Sequence, residues 1–290
     1  MTDILLSVMA PVALIIGVGA LWDRLRQPFD AGFAGALVYY VGGPCLTFST
    51  LVDYNFSAGA QRIAIAAFVA FVVFGVTGAV ALRLLGWQQR AYLNSILFPN
   101  LGNMGLPLAL FAFGDEGLAL AVVVFTIGSI AHSSVGIWIV CGRLSPAEVL
   151  KAPLLYATAL ALGSHELGIG LPQFALRAAD ILGGMTIPLM LLSLGVSLSR
   201  LKISNTRRAT ALAALRLGIG LAGGLAVVAV FDLTALERGV LLLDAVMPAA
   251  VFNYLLAERF KTAPEDVAGG VALSTLASFM VLPAVLAFVI

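Results

Sequence analysis

The sequence predicts an all-α polytopic membrane protein with ten transmembrane helices that form two inverted five-helix repeats. Of its 290 residues, 61% are hydrophobic and 11% are charged, whereas a soluble domain carries about 25% charged residues. Apolar runs of about 20 residues, long enough to cross a bilayer, recur along the whole chain. The prolines and serines that punctuate these runs return at a nearly constant offset. The composition leaves no soluble domain and no basic domain that would bind nucleic acid.

Hydropathy and punctuation define each span in turn. The predicted spans are residues 3–21, 31–51, 62–85, 90–113, 117–141, 148–165, 173–199, 208–231, 236–257 and 266–289. The connections are short, so their lysines and arginines should report orientation. The odd-numbered loops hold 12 of the 16 basic residues, the even-numbered loops hold three, and Arg216 lies inside span eight. The odd loops are therefore predicted to be cytoplasmic, with both termini outside.

The prolines and serines within the apolar runs of the first half recur at matching positions in the second half. Five features of residues 1–145 return in order in residues 146–290, at separations of 141 to 145 residues: Pro11 and Pro153, Pro44 and Pro188, Pro107 and Pro248, Ser129 and Ser274, and Ser133 and Ser278. Because each repeat has an odd number of spans, the second must insert upside down relative to the first. This arrangement places a pseudo-two-fold axis in the membrane plane.

Two spans contain breaks that a lipid-facing helix would not tolerate. In span four the break is predicted within residues 98–110, where the helix-breaking and polar residues are Pro99, Asn100, Gly102, Asn103, Gly105 and Pro107. In span nine the break lies at Pro248. Paired breaks in corresponding halves indicate the binding site of a secondary transporter. Spans four and nine are therefore predicted to cross near the midplane, where half-helix N-termini would offer positive dipole ends to a small anion.

Six polar side chains near this crossing are predicted to bind substrate: Asn100, Asn103, Ser133, Asp244, Asn253 and Ser278. Alternatively, the first two asparagines cap broken helix ends, and the two serines belong to a packing stripe with Ser129, His132 and Ser274. Asp244 lies about 12 Å into span nine by helix rise. Its carboxyl group either carries a proton or has a hydrogen-bond or charge partner on a neighbouring helix.

Arg216 lies about 14 Å into span eight, and three interpretations of it stay open. It snorkels to the cytoplasmic surface, forms a charge pair with Asp244, or contacts a substrate carboxylate. Pro44 and Pro188 are expected to kink spans two and seven. The two cysteines lie in or beside apolar spans, so neither a metal site nor a disulfide is expected.

Three segments resemble the auxin efflux carrier family, which includes bacterial malonate and malate permeases. They are NMGLPL at 103–108, PLMLLSLGVSL at 188–198 and PAAVFNYLLAERF at 248–260. The resemblance implies a sodium/proton-antiporter-type fold, often in a homodimer. In that fold a scaffold domain, residues 1–52 and 146–200, holds an elevator-like transport domain, residues 60–143 and 206–290. Plant members often have a long hydrophilic loop between the halves, whereas residues 142–151 join them directly here, as in the compact bacterial members.

The predicted function is secondary transport of a small organic anion, a carboxylate such as malonate or malate or an auxin-like compound, across the plasma (inner) membrane. Coupling to protons or sodium is left open, and no cofactor is expected. One alternative is a sodium-coupled symporter of the bile-acid type, which needs acidic and amide ligands at the crossing. Another is an intramembrane enzyme, but the chain has no GxGD, HExxH or Ser–His constellation and is predicted not to be an enzyme.

Overall fold

The computed structural model describes residues 2–52, 54, 58–142, 150–201 and 204–289. Within those residues the backbone is helical apart from turns, short extended stretches and one isolated bridge, and seven helices are long and apolar enough to cross a membrane. The protein is therefore an all-helical polytopic membrane protein, as predicted. The predicted junction of the repeats at 145/146 and two of the counted basic residues, Arg143 and Lys202, lie outside the described residues.

In chain order the helices are α1 (Thr2–Arg24), α2 (Ala31–Val52), α3 (Ala58–Leu84), α4 (Gln89–Leu97), α5 (Leu101–Cys141), α6 (Pro153–Glu166), α7 (Gln173–Arg200), α8 (Thr206–Val230), α9 (Ala235–Ala245), α10 (Val251–Phe260) and α11 (Pro264–Val289). Gly114 divides α5, because its φ of 69° and ψ of −161° are not helical and lie where glycine is favoured. Residues 101–113 and 115–141 are thus separate helical segments. The count of ten spans and their inverted arrangement stay predictions.

The helices pack in two groups. In the first group α1 packs against α7, and α2 packs against α6 and α7. In the second group α3, α4, α5, α8, α9, α10 and α11 pack against one another. One core of buried apolar side chains extends across both groups. The division of the chain into a scaffold domain and a transport domain, and their separate movement, stay predictions.

Glycines allow α1 and α7 to approach closely. A Cβ atom built on Gly195 would collide with the carbonyl oxygen of Ile16, and one built on Gly19 would collide with that of Leu192. Small residues permit such backbone contact between membrane helices. The α1–α7 pair is therefore held at a separation that larger side chains would not permit.

The two prolines predicted to kink helices each follow an irregular turn. In α2 a π-helical turn at Val38–Gly42 precedes Pro44. In α7 the helix is interrupted at Met185, and Pro188 lies in the first turn of the segment that resumes at Thr186. A proline is tolerated there because first-turn N–H groups have no partner within the helix.

Candidate functional site

The two interrupted helices meet at their breaks. Residues 98–100, between α4 and α5, run antiparallel to residues 248–250, between α9 and α10. Pro99 pairs with Ala249, and backbone hydrogen bonds of 2.7 and 3.2 Å join Asn100 N to Pro248 O and Ala250 N to Phe98 O. Lipid offers no partner to a broken helix, so each break satisfies backbone groups of the other.

The first break lies at the start of the predicted stretch, residues 98–110. Helix α4 ends at Leu97, whereas Gly102 and Gly105 belong to a π-helical turn that opens α5. Pro107 is helical and lies at the start of the following α-helical segment, where a missing N–H costs little. Pro99, inside the break, lies opposite Ala249 of the second break.

Arg216 of α8 joins the two broken helices. It is 0% exposed, and its guanidinium donates hydrogen bonds to the backbone carbonyls of Ile96, Ala245 and Met247. Ile96 and Ala245 lie in the last turns of α4 and α9, where carbonyls lack helical partners and the helix dipole is negative. Phe74 of α3 packs against the guanidinium, 5.1 Å from its ring centroid. One cation thus caps the C-terminal ends of both half-helices.

The observed position of Arg216 contradicts two of the three interpretations of this residue. It does not snorkel, because no part of it reaches the surface. It does not pair with Asp244, whose two carboxylate oxygens have no hydrogen-bond partner among the residues that the structure describes. The physical reason is that the breaks leave carbonyls unpaired at the same depth, and three of these carbonyls each accept a hydrogen bond from one nitrogen of the guanidinium.

Asp244 lies in the last turn of α9, one residue before a carbonyl that Arg216 binds. It is 3% exposed. A Cβ atom built on Gly105 would lie 2.6 Å from its Oδ1, so the carboxyl group lies against the first turn of α5. Together with Pro99 and apolar side chains it lines a cavity of about 10 Å³. No hydrogen bond within the described protein reaches this carboxyl group.

Asn253 and Ser274 hold the second break in place. The Asn253 amide, 2% exposed, donates to the Phe98 carbonyl at 3.1 Å, so α10 is bonded to the first break. The Ser274 hydroxyl of α11 accepts the Ala249 N–H at 3.1 Å. Ser274, which was predicted to belong to a packing stripe, therefore accepts a hydrogen bond from the extended backbone of the second break.

The predicted asparagines of the first break have different environments. The Asn100 side chain is buried and accepts the Asn103 N–H at 3.3 Å, so it caps the start of α5. A role of Asn100 in substrate binding stays a prediction. Asn103 is partly exposed. Beside it, a Cβ atom on Gly102 would lie 3.2 Å from Met190 Cε, so α7 covers this side of the break.

An aromatic cluster lies on the α10 side of the crossing. The imidazole of His132 stacks on Phe98 with ring centroids 4.1 Å apart and meets the edge of Phe252 at 5.0 Å. Asn94 of α4 donates to the Gly136 carbonyl at 2.9 Å, joining α4 to the π-helical turn at His132–Gly136. Sequence reasoning missed Asn94, although a buried asparagine one turn before the break was a signal for it.

The remaining predicted serines have unequal positions. Ser278 is fully buried, and its hydroxyl donates to the Thr275 carbonyl of its own helix at 2.7 Å. That geometry fits the packing alternative. Ser133 is partly exposed within the π-helical turn of α5, and its role in substrate binding stays a prediction.

Polar clusters tie the second helix group together at both ends. At one end Arg62 of α3 pairs with Glu237 of α9 at 3.0 Å. At the other, Asp266 of α11 accepts from the Tyr92 hydroxyl at 2.7 Å and from Arg208 at 3.1 Å. These contacts require the starts of α3 and α9 to share one end of the bundle and the starts of α4, α8 and α11 to share the other.

Comparison with known proteins points to transport. The sequence profile of a family described as membrane transport protein matches residues 141–286. An uncharacterized transporter of Methanocaldococcus jannaschii is 28% identical over 193 residues, which is 63% of this chain and 63% of the relative. An uncharacterized transporter of Methanothermobacter thermautotrophicus is 27% identical over 275 residues, which is 88% of this chain and 87% of the relative.

Proposed function

The chain belongs to the membrane transport protein family, that of the auxin efflux carriers, and from this premise we propose that it is a secondary carrier of a small organic anion. The substrate class is a mono- or dicarboxylate such as malonate or malate. The observation that carries the proposal is the meeting of two helix breaks whose C-terminal ends share one buried arginine.

The distribution of charge at the crossing favours an anion. Arg216 neutralises the negative ends of α4 and α9, and the opposite half-helices, α5 and α10, begin at the same crossing. Helix N-termini present N–H groups and a positive dipole, which suit a carboxylate. Partly exposed Asn103 and buried Asn253 lie in the first turns of these two helices. Their amides would orient the anion without a fixed positive charge.

Movement is needed for the substrate to enter. The cavity beside Asp244 measures about 10 Å³, about the space of one water molecule. A dicarboxylate is much larger, so the crossing must separate from the helices that cover it, among them α7 at Met190. We propose elevator-type movement of α3–α5 and α8–α11 against α1, α2, α6 and α7, in ten spans of two inverted repeats with both termini outside the plasma membrane. The assembly proposed is a homodimer.

Substrate exchange in proteoliposomes tests the carrier function. Purified protein is reconstituted with unlabelled malonate or malate inside, and entry of the labelled compound is followed as counterflow. Wild type should exchange at least one of these carboxylates, and N253A should lose exchange because an amide at the crossing is gone. N205A is the matched control, since it removes a capping amide at the exposed start of α8. Equal exchange by N253A and N205A would contradict the placement of the site, and absence of carboxylate exchange by wild type would contradict the substrate class.

A further inference from the structure

We propose that an anionic phospholipid binds at the end of α1, with one acyl chain in a cavity between α1 and α7 and its phosphate beside Arg24 and Arg26. The cavity measures about 230 Å³ and is lined by α1, α7 and the connection from α1 to α2. It is much larger than the cavity of about 10 Å³ at the crossing. The site belongs to the first helix group, so the inference does not depend on the carrier function.

The lining of this cavity suits hydrocarbon better than water or a carboxylate. Trp22, Phe29 and Val196 are among its residues, and the one polar side-chain atom in the lining, Trp22 Nε1, already donates to the Pro28 carbonyl at 3.2 Å. Water does not fill an apolar cavity, and an empty cavity loses dispersion contacts along its walls. At about 30 Å³ for each methylene group, roughly the share of a water molecule in the liquid, the cavity holds about seven or eight carbons of an acyl chain.

The cavity is open to the bilayer. Val18 and Trp22, which line it, are 52% and 45% exposed, and Leu14 and Leu21 of the same helix are exposed as well. Trp22 lies in the last turn of α1, and tryptophan is enriched at the membrane–water interface. A lipid tail can therefore enter the cavity from the side, while its headgroup stays at the interface beside the end of α1.

Two arginines at this end of α1 are available to a headgroup. Arg24 and Arg26 are exposed and lie between Trp22 and Pro28, which both line the cavity. No hydrogen bond or ion pair within the described residues reaches either guanidinium. An arginine stem packs along apolar surface while its charge stays at the interface, and the guanidinium matches the geometry of a phosphate. The two side chains therefore offer a phosphate site at the rim of an apolar cavity.

The carboxylates near these arginines are engaged elsewhere. Asp23 accepts a hydrogen bond from Arg200 at 2.8 Å, and Asp30 accepts the Phe33 N–H at 3.0 Å as the N-cap of α2. The tails of different phospholipids are equally apolar, so the cavity alone gives little preference among headgroups. Each arginine near the membrane surface should favour an anionic over a zwitterionic headgroup about fivefold.

The backbone of Arg26 supports a role for its side chain. Its N–H bonds to the Asp23 carbonyl, and the N–H of Gln27 bonds to the Trp22 carbonyl. This helix ending places Arg26 at the left-handed position, with a φ of 54°, where glycine is the usual residue. A side chain costs conformational energy there, and such strain is found where a residue binds a ligand. Glycine would end α1 with less strain but would leave the headgroup without a cation.

Thermal unfolding in a nonionic detergent tests the headgroup contact, with dioleoyl phosphatidylglycerol (anionic) or dioleoyl phosphatidylcholine (zwitterionic) added in increasing amounts. The Tm of wild type should rise at lower concentrations of phosphatidylglycerol than of phosphatidylcholine. Without lipid, R26G should unfold no earlier than wild type, because the strain is relieved, yet it should need about fivefold more phosphatidylglycerol for the same rise in Tm. K261G is the matched control, since Lys261 ends α10 with a φ of 56° and lies outside the cavity. It should respond to phosphatidylglycerol like wild type.

A second pair of variants tests Arg24 without changing the backbone. Arg24 and Arg83 are both exposed in the last turn of a helix. R24Q should need about fivefold more phosphatidylglycerol, whereas R83Q should not. The proposal is wrong if wild type responds equally to the two lipids, if R26G responds like K261G, or if R24Q responds like R83Q.

Native mass spectrometry tests the acyl-chain cavity. Wild type released from detergent with phosphatidylglycerol should retain one lipid molecule. V18F should lose it because the phenyl ring fills the cavity, whereas V72F, the same change at a similarly exposed position of α3, should keep it. Equal retention by V18F and V72F would overturn the placement of the chain. A lipid-free dimer of wild type would also overturn the proposal, because a second copy would then cover the cavity.

Discussion

Replacing Arg216 by methionine should destabilise the protein more than any surface substitution of a basic residue. R216M keeps much of the apolar stem but removes every hydrogen bond from the guanidinium to the carbonyls of Ile96, Ala245 and Met247. These carbonyls lie at buried helix ends, where neither lipid nor water replaces the lost donor. The two half-helices would also lose the cation that offsets their dipoles.

The magnitude follows from the number of carbonyls left unpaired. A buried polar group without a partner costs about 1–3 kcal/mol, so three carbonyls give a gross loss of about 3–9 kcal/mol. Removing a buried cation also relieves a desolvation penalty of several kcal/mol. We therefore expect a net loss of about 3 kcal/mol, which for a chain of this size lowers Tm by about 6–12 °C.

Thermal unfolding in detergent or nanodiscs, followed by intrinsic fluorescence, measures this effect. R207M is the matched control, because Arg207 is exposed at the start of the same helix and surface substitutions rarely exceed about 0.5 kcal/mol. If R216M unfolds within about 2 °C of R207M, the three hydrogen bonds do not hold the crossing together and the reasoning fails.

Two further predictions concern the first break and the orientation. G105A should lower carboxylate exchange strongly, because its Cβ atom would lie 2.6 Å from the Asp244 Oδ1 atom. The control variant G218A should exchange like wild type, because nothing lies within 4 Å of its added methyl group. Equal activity of the two variants would contradict the close contact. A cysteine at Asn205, in a background without the two native cysteines, should react with a membrane-impermeant maleimide only from the cytoplasmic side, and labelling of intact cells from outside would reverse the predicted topology.

The sequence predicted the all-helical membrane fold and the presence of two breaks for reasons that are local. Apolar runs long enough to cross lipid and polar residues that lipid cannot satisfy are both visible in a single chain. The position of the first break was harder to predict. The sequence placed the break within residues 98–110, but it could not show which residues of that stretch leave the helix. Pro107 is harmless at a helix start, whereas Pro99 lies in the break opposite Ala249, about 150 residues away.

The role of Arg216 could not be derived from its own helix. Depth along α8 placed Arg216 within the membrane but left open whether its side chain reaches the surface, and the carbonyls that it binds belong to α4 and α9. Only the packing of three helices shows that the unpaired carbonyls and the unpaired donor lie together. The same holds for Asn253, whose amide binds the Phe98 carbonyl at a sequence separation of 155 residues.

The paired extended segments at 98–100 and 248–250 have a consequence for leakage. Shifting one segment alone would strand N–H and C=O groups of the other in a medium of low dielectric constant. States with only one half-helix displaced are therefore disfavoured, and with them any half-open pore through which ions could slip. Two backbone hydrogen bonds would therefore help to keep the crossing closed to ions.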